Sequence, residues 1–207
     1  LIRRQRQMCI RDRIKSSQSN GTITDEELRT LMEGMPMMKN WRLLINGLLD
    51  DGAKVAIVSG GLQQTAKDIA AQFPSSKPWS RRWGGIDRFT AGRFGEGYDS
   101  KLSVFTNGWL RGKRNSNGNC EVDDFGRYQV QMNGKGAIVK MLQRRYGISK
   151  DKTASVGDSA GDIGMFQESA LAICFNPWDK KPLEYCDEVV EQKDLAIVLD
   201  KITTKFS

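Results

Sequence analysis

The chain has 207 residues, 39% of them apolar, enough for one substantial core and a small second lobe. It contains no histidine, which excludes a Ser-His-Asp or Cys-His catalytic system and removes the commonest zinc ligand. The net charge of +7 sits mostly at one end: residues 1–15 hold Arg3, Arg4, Arg6, Arg11, Arg13 and Lys15 against Asp12, so the remainder carries only +2 and no nucleic-acid-binding face is expected.

No apolar run approaches the roughly 20 residues that span a bilayer, and the mean hydropathy of -0.51 agrees. No membrane span is expected, nor a signal peptide, because no apolar segment follows the basic N-terminus. Cys9, Cys120, Cys174 and Cys186 show no CxxC spacing and read as free thiols in a reducing cytoplasm.

In chain order, the opening "LIRRQRQMCIRDR" starts at Leu1 and has neither helical nor strand period. It resembles translated sequencing-adapter read-through. Residues 1–13 are therefore expected to be non-native, with the natural protein extending upstream; a basic targeting arm or an ordinary disordered tail is the alternative. After the polar "SSQSNGT", Thr24 and Glu27 have capping-box spacing, and Leu28, Leu31, Met32 and Met35 follow at helical intervals. The methionines fit core packing, with an adaptable pocket wall as the alternative. Residues 14–36 form this first segment.

"KNWRLLINGLLDDG" is expected as a helix with Trp41, Leu44 and Leu48 on one face and Gly52 in a left-handed C′ position. A buried strand, Val55 to Val58, is expected to end at Ser59-Gly60-Gly61, with a helix over "LQQTAKDIAAQF" after it. Residues 74–133 hold nine of the 21 glycines among short β-type runs, "IDRFTAG", "LSVFTNG" and "YQVQM". They read as a β-rich insertion. From Gly134 helices and strands alternate: a helix with Ile138, Val139, Leu142 and Tyr146 on one side, strand 153–156, helix 162–168, strand 171–175, a short helix near 180–185, strand 188–190 and a helix over 194–203. Such alternation predicts an α/β doubly wound parallel sheet for residues 37–207.

In such a sheet ligands bind beyond the carboxyl ends of the strands, where three polar groups stand. Ser59-Gly60-Gly61 offers a hydroxyl and backbone N–H groups for an anion, or is simply a tight turn. Lys135, in the first turn of its helix, is unfavourably placed against the helix dipole unless an anion faces it; a solvated lysine is the alternative. Asp158 and Asp162 are two carboxylates within one helical turn. Asp158 or Ser159 could cap a helix, which explains one carboxylate and not the other. Two such charges side by side favour a cation between them, and Mg²⁺ suits one or two carboxylates with waters and substrate phosphate.

Together, "VAIVSGG", "NGKGAIVKML" and "GDSAGDIGMF" resemble the second, third and fourth motifs of the haloacid dehalogenase-like phosphatases. With the tail "ICFNPWDKKPLEYCDEVVEQKDLAIVL" they look most like the phosphoserine phosphatase branch. The resemblance covers about residues 20–205. It implies a Rossmann-like fold, a small phosphorylated metabolite as substrate and an aspartyl-phosphate intermediate. It also implies Mg²⁺ held by Asp158, phosphate held by Ser59, Gly60, Gly61 and Lys135, and Asp162 either in the metal shell or orienting it and Lys135.

The family's first motif, Asp-x-Asp-x-Thr/Val, is not found: Asp12, Asp25, Asp50 and Asp51 are the aspartates before Ser59, and none has that spacing. The expectation is an N-terminally truncated chain, lacking the nucleophile, its central strand and part of a helical cap of which residues 14–36 are the remnant, and inactive as it stands. The alternative is a nucleophile-less protein that binds phosphate and metal without catalysis. The length of the 74–133 segment departs from the phosphoserine phosphatase pattern and leaves substrate and oligomeric state open.

Overall fold

The computed structural model describes residues 24, 26–27, 30, 36–62, 102–107, 110–114, 116, 120–124, 130–131 and 133–207. They fall in two compact units: Leu1–Pro36 with Ser59–Gln129, and Met37–Val58 with Val130–Ser207. The tail 1–13, the helix expected over 62–73 and the "IDRFTAG" run lie outside the described residues, apart from Leu62 itself.

In the first unit the Thr24–Glu27 capping box forms as its spacing predicts. Thr24 N–H and Oγ1–H both donate to Glu27 Oε2, at 2.9 and 3.0 Å, and Glu27 N–H returns a bond to Thr24 Oγ1 at 3.2 Å. Two orphan helix-start donors are thereby satisfied. Strand β1, Val55–Leu62, pairs with β2, Leu102–Asn107. Leu102 and Phe105 of β2 are buried. Strands β3, Leu110–Arg114, and β4, Cys120–Asp124, run antiparallel with register shifts. The β-rich reading of this stretch therefore holds where it is described, except at "YQVQM". There Val130 is buried in a bend, and Gln131 is turned toward the next helix by the Gly134 N–H to Gln131 O bond of 2.9 Å.

The second unit begins with helix α1, Trp41–Asp50. Its end is a Schellman turn: Ala53 N–H reaches Leu48 O at 2.9 Å, Gly52 N–H reaches Leu49 O at 3.1 Å, and Gly52 takes φ of 81°. A side chain there would be strained, which is why glycine stands at that point. Helix α2, Lys135–Tyr146, leads to β5, Ala154–Gly157; helix α3, Ile163–Phe166, to β6, Leu171–Phe175; then come β7, Glu188–Val190, and α4, Leu195–Phe206. The three strands form a parallel sheet in the order β5-β6-β7. All five residues of β6 are buried, as a central strand covered on both faces requires. Leu171, Ile173 and Phe175 pack on Val190 and on Val198 of α4, whereas Ala172 and Cys174 pack on Phe166 of α3. Helices on both faces of a parallel sheet give the α/β, doubly wound arrangement. No helix among the described residues is long and apolar enough to cross a membrane.

Candidate active site

The carboxyl end of β5 opens directly into "GDSAGD". Ser159 and Asp162 make a capping box around a 3₁₀ turn, Ala160–Asp162, which runs on into α3. Asp162 is buried to 2% exposure. One of its oxygens, Oδ2, accepts three bonds from the loop that precedes it: from Asp158 N–H and Ser159 N–H, each at 3.0 Å, and from Ser159 Oγ–H at 2.9 Å. The other, Oδ1, accepts from Lys135 Nζ at 2.6 Å. Lys135 is itself nearly covered, with 13% of its side chain exposed.

This arrangement separates the two aspartates. Capping and the ion pair account for Asp162, while the same bonds use only the backbone of Asp158. Burial by itself would raise the Asp162 pKa, but the Lys135 ammonium, its hydrogen bond and the loop N–H groups together hold the carboxyl below its ordinary 3.8. Asp162 is therefore an anion inside the fold, matched by a cation brought from 27 residues away in sequence.

Three glycines make that meeting possible, and spacing rules for polar motifs overlook them. At Gly157 a Cβ would stand 2.4 Å from the Asp162 Cβ, so only glycine lets the carboxylate fold back over the strand end. At Gly136 a Cβ would stand 2.5 Å from Gly164 O. Gly136 and Gly164 therefore let α2 and α3 touch backbone to backbone, which lays Lys135 against Asp162. A signal was present in "NGKG" and "DIGM", a glycine at each helix start, but only the packing explains it.

A further segment, 176–181, buttresses the loop; in the sequence it stands within the tail that resembles the family, without an assigned role. Trp178 N–H donates to Asp158 O at 3.2 Å, and Ala160 N–H to Asp179 Oδ2 at 3.4 Å. Asp179 also accepts from Lys181 N–H at 3.0 Å, which fixes its carboxylate. Asn176, in the left-handed region at φ of 46°, turns the chain out of β6 toward this loop.

Ser59, Gly60 and Gly61 lie inside a strand and not in the turn expected after it. The strand does not stop at Val58: β1 continues to Leu62. The reason is pairing, since β1 is held in a ladder with β2. These residues belong to the first unit, whereas Lys135, Asp158 and Asp162 belong to the second.

Among the described residues no three His, Cys, Asp or Glu side chains are grouped to hold a metal. Mg²⁺ does not need such a cage; it takes one or two carboxylates and fills its octahedron with water and substrate oxygens. Asp158, an oxygen donor at a strand end beside an already neutralised Asp162, fits that requirement.

A family model described as haloacid dehalogenase-like hydrolase matches residues 126–202. The phosphoserine phosphatase of Methanocaldococcus jannaschii is 36% identical over 75 residues, which are 35% of this chain and 34% of that protein. That of Wolinella succinogenes is 37% identical over 67 residues, 31% of each chain. The matched segment thus spans about a third of the length of these curated relatives. Among solved structures, a phosphoserine phosphatase with a phospho-aspartyl intermediate analogue superposes with a TM-score of 0.64 at 21% identity, covering 87% of this chain and 71% of that one. A substrate-bound phosphoserine phosphatase complex gives 0.61 at 23% identity, covering 87% and 70%. These likenesses show a shared fold.

Proposed function

We propose that this chain, whose residues 126–202 match the haloacid dehalogenase-like hydrolase model, derives from a Mg²⁺-dependent phosphomonoesterase of the phosphoserine phosphatase type. Its substrate is phosphoserine or a similarly small phosphorylated metabolite. The observation that carries the reading is the buried Lys135–Asp162 pair, 2.6 Å apart at the carboxyl end of a parallel strand.

Lys135 has three ammonium donors and spends one on Asp162, leaving its charge to face phosphoryl oxygens. Asp162 is a positioning residue: it fixes Lys135 through one oxygen and draws the 158–159 backbone into place through the other. Asp158 would hold the Mg²⁺. When bound, the ion offsets the phosphoryl charge and polarises the phosphorus–oxygen bonds. Ser59, Gly60 and Gly61 enter on their match to the family's phosphate-holding motif. The attacking group in this reading is an aspartate carboxylate that forms an aspartyl-phosphate, later released by water. The family's Asp-x-Asp motif that would supply this group is not found before Ser59 in the 207 residues. The proposal includes a cytoplasmic enzyme with no nucleic-acid or membrane partner.

The test is expression of the complete reading frame and a screen of phosphomonoesters with and without Mg²⁺. Metal-dependent release of phosphate is expected, and Asp158→Asn should reduce it at least a hundredfold. Full activity in that variant would overturn the metal role. One sequence fact favours a second reading, a phosphate- and metal-binding protein without catalysis: no Asp-x-Asp precedes Ser59. A complete gene that also lacks the motif would select it.

A further inference from the structure

Cys174 and Cys186 are not used by the site just described. Both are free thiols, twelve positions apart in sequence. Cys174 is fully buried at 0% exposure, on the face of β6 that meets α3. Cys186 is half-buried and packs against the same cluster of Phe166, Ala172 and Cys174. Cys186 also donates from its sulfur to Leu183 O at 3.7 Å, which ties it to the turn Lys181–Glu184. The sheet register sets Cys174 directly opposite Gly157, the residue before Asp158. Between the two cysteines runs the 176–181 segment whose Trp178 and Asp179 hold the acidic loop.

We propose that Cys174 and Cys186 form a hydroperoxide-reactive dithiol, which closes to an intramolecular disulfide and staples the segment that supports the acidic loop. The half-buried thiol reacts first. The Cys186 thiolate attacks a peroxide oxygen; the O–O bond breaks, an S–O bond forms, and the alcohol or water leaves with a proton. Cys174 then attacks the sulfenic sulfur; an S–S bond forms, the S–O bond breaks, and the departing hydroxide takes the Cys174 proton to leave as water. Two thiols are oxidised by two electrons and one hydroperoxide is reduced.

The order of the two steps follows from their surroundings. Cys174 is fully enclosed while Cys186 is half-buried, and burial, the neighbouring Cys186 and the charges of Asp158 and Asp162 push the Cys174 thiol up to about 12, so it is a poor first nucleophile. Beside a sulfenic acid it needs no access to solvent, only contact with Cys186. The proposal stands apart from the phosphatase reading, because it requires neither metal nor phosphate.

The experiment treats the full chain with hydrogen peroxide, blocks remaining thiols after denaturation, and maps the digest by mass spectrometry before and after dithiothreitol. A dithiothreitol-sensitive peptide linking Cys174 to Cys186 within one molecule is expected, formed in at least half of the chains. In Cys186→Ser the same treatment should leave Cys174 fully alkylatable. The proposal is overturned if Cys186 proceeds to sulfinic acid without a cross-link, or if the disulfides formed join Cys9 or Cys120 instead.

Discussion

The two faces of β6 are built from the same strand and solve opposite problems. On one, Leu171, Ile173 and Phe175 lock against Val190 and Val198, all at 5% exposure or less, with Leu44, Leu195 and Ile202 around them. On the other, Ala172 and Cys174 meet Phe166, and the neighbouring helices approach through Gly136 and Gly164. The first face is filled by large apolar side chains and has no room for a charge. Beside the second, the glycine contact between two helices brings an ammonium and a carboxylate together at the end of β5. Bulk stabilises one side of the sheet; small residues beside the other bring polar groups within bonding distance of each other.

The sharpest way to break that contrast is Asp162→Ala. It strands a nearly covered Lys135 and removes the acceptor of three loop donors, so a loss of about 3–5 kcal/mol is expected in urea unfolding of the purified chain. A loss below about 1 kcal/mol would mean that the pair is solvated in solution. On the opposite face Ile173→Ala, at 0% exposure, should cost about 2–5 kcal/mol through lost transfer energy and a cavity. Adding Lys135→Met should recover part of the first loss, because an uncompensated charge is removed, and none of the second.

Gly136→Ala tests the glycine contact between the two helices. The new methyl group would meet a backbone oxygen that cannot step aside, and about 1–3 kcal/mol of overpacking is expected. In the phosphomonoester assay proposed above its effect on catalysis should exceed its effect on stability, since Lys135 moves with the helix. A crystal structure of this variant with Lys135 unmoved would contradict the packing account.

The smallest effect is that of pH. Asp162 has a folded pKa below its ordinary 3.8. Its contribution is thus complete above that value and is lost as pH falls through the lower, folded value. Asp194, drawn down to about 2 first by its hydrogen bond from Lys39 and then by Ala196 N–H and Asn40, adds to the same acid limb. Stability measured from pH 5 downward should therefore decline below about pH 4. The decline should be shallower in Asp162→Ala and unchanged in Ile173→Ala.

Much of this was legible in the residues themselves. The alternation from Gly134 onward predicts β5, α3, β6, β7 and α4 nearly at their observed limits, because hydrophobic period and caps act over a few residues. The Thr24–Glu27 box and the Gly52 turn form for the same local reason. Lys135, Asp158 and Asp162 stood out as charges in positions where charge is unfavourable unless answered. The β1 strand running through Ser59-Gly60-Gly61 was not legible, since glycine usually marks a break and only pairing with β2 carries the strand past it.

What the sequence determined alone is the succession of elements and the presence of one lysine and two aspartates at their ends. Which aspartate the lysine takes was decided by the tertiary structure, through the contact of Gly136 with Gly164 and the fold of Asp162 over Gly157. The meeting of Cys174 with Cys186 was decided there as well. Capping and periodicity are short-range and are written in neighbouring residues. The choice of partner across 27 positions depends on how closely two backbones approach, and no local pattern encodes that distance.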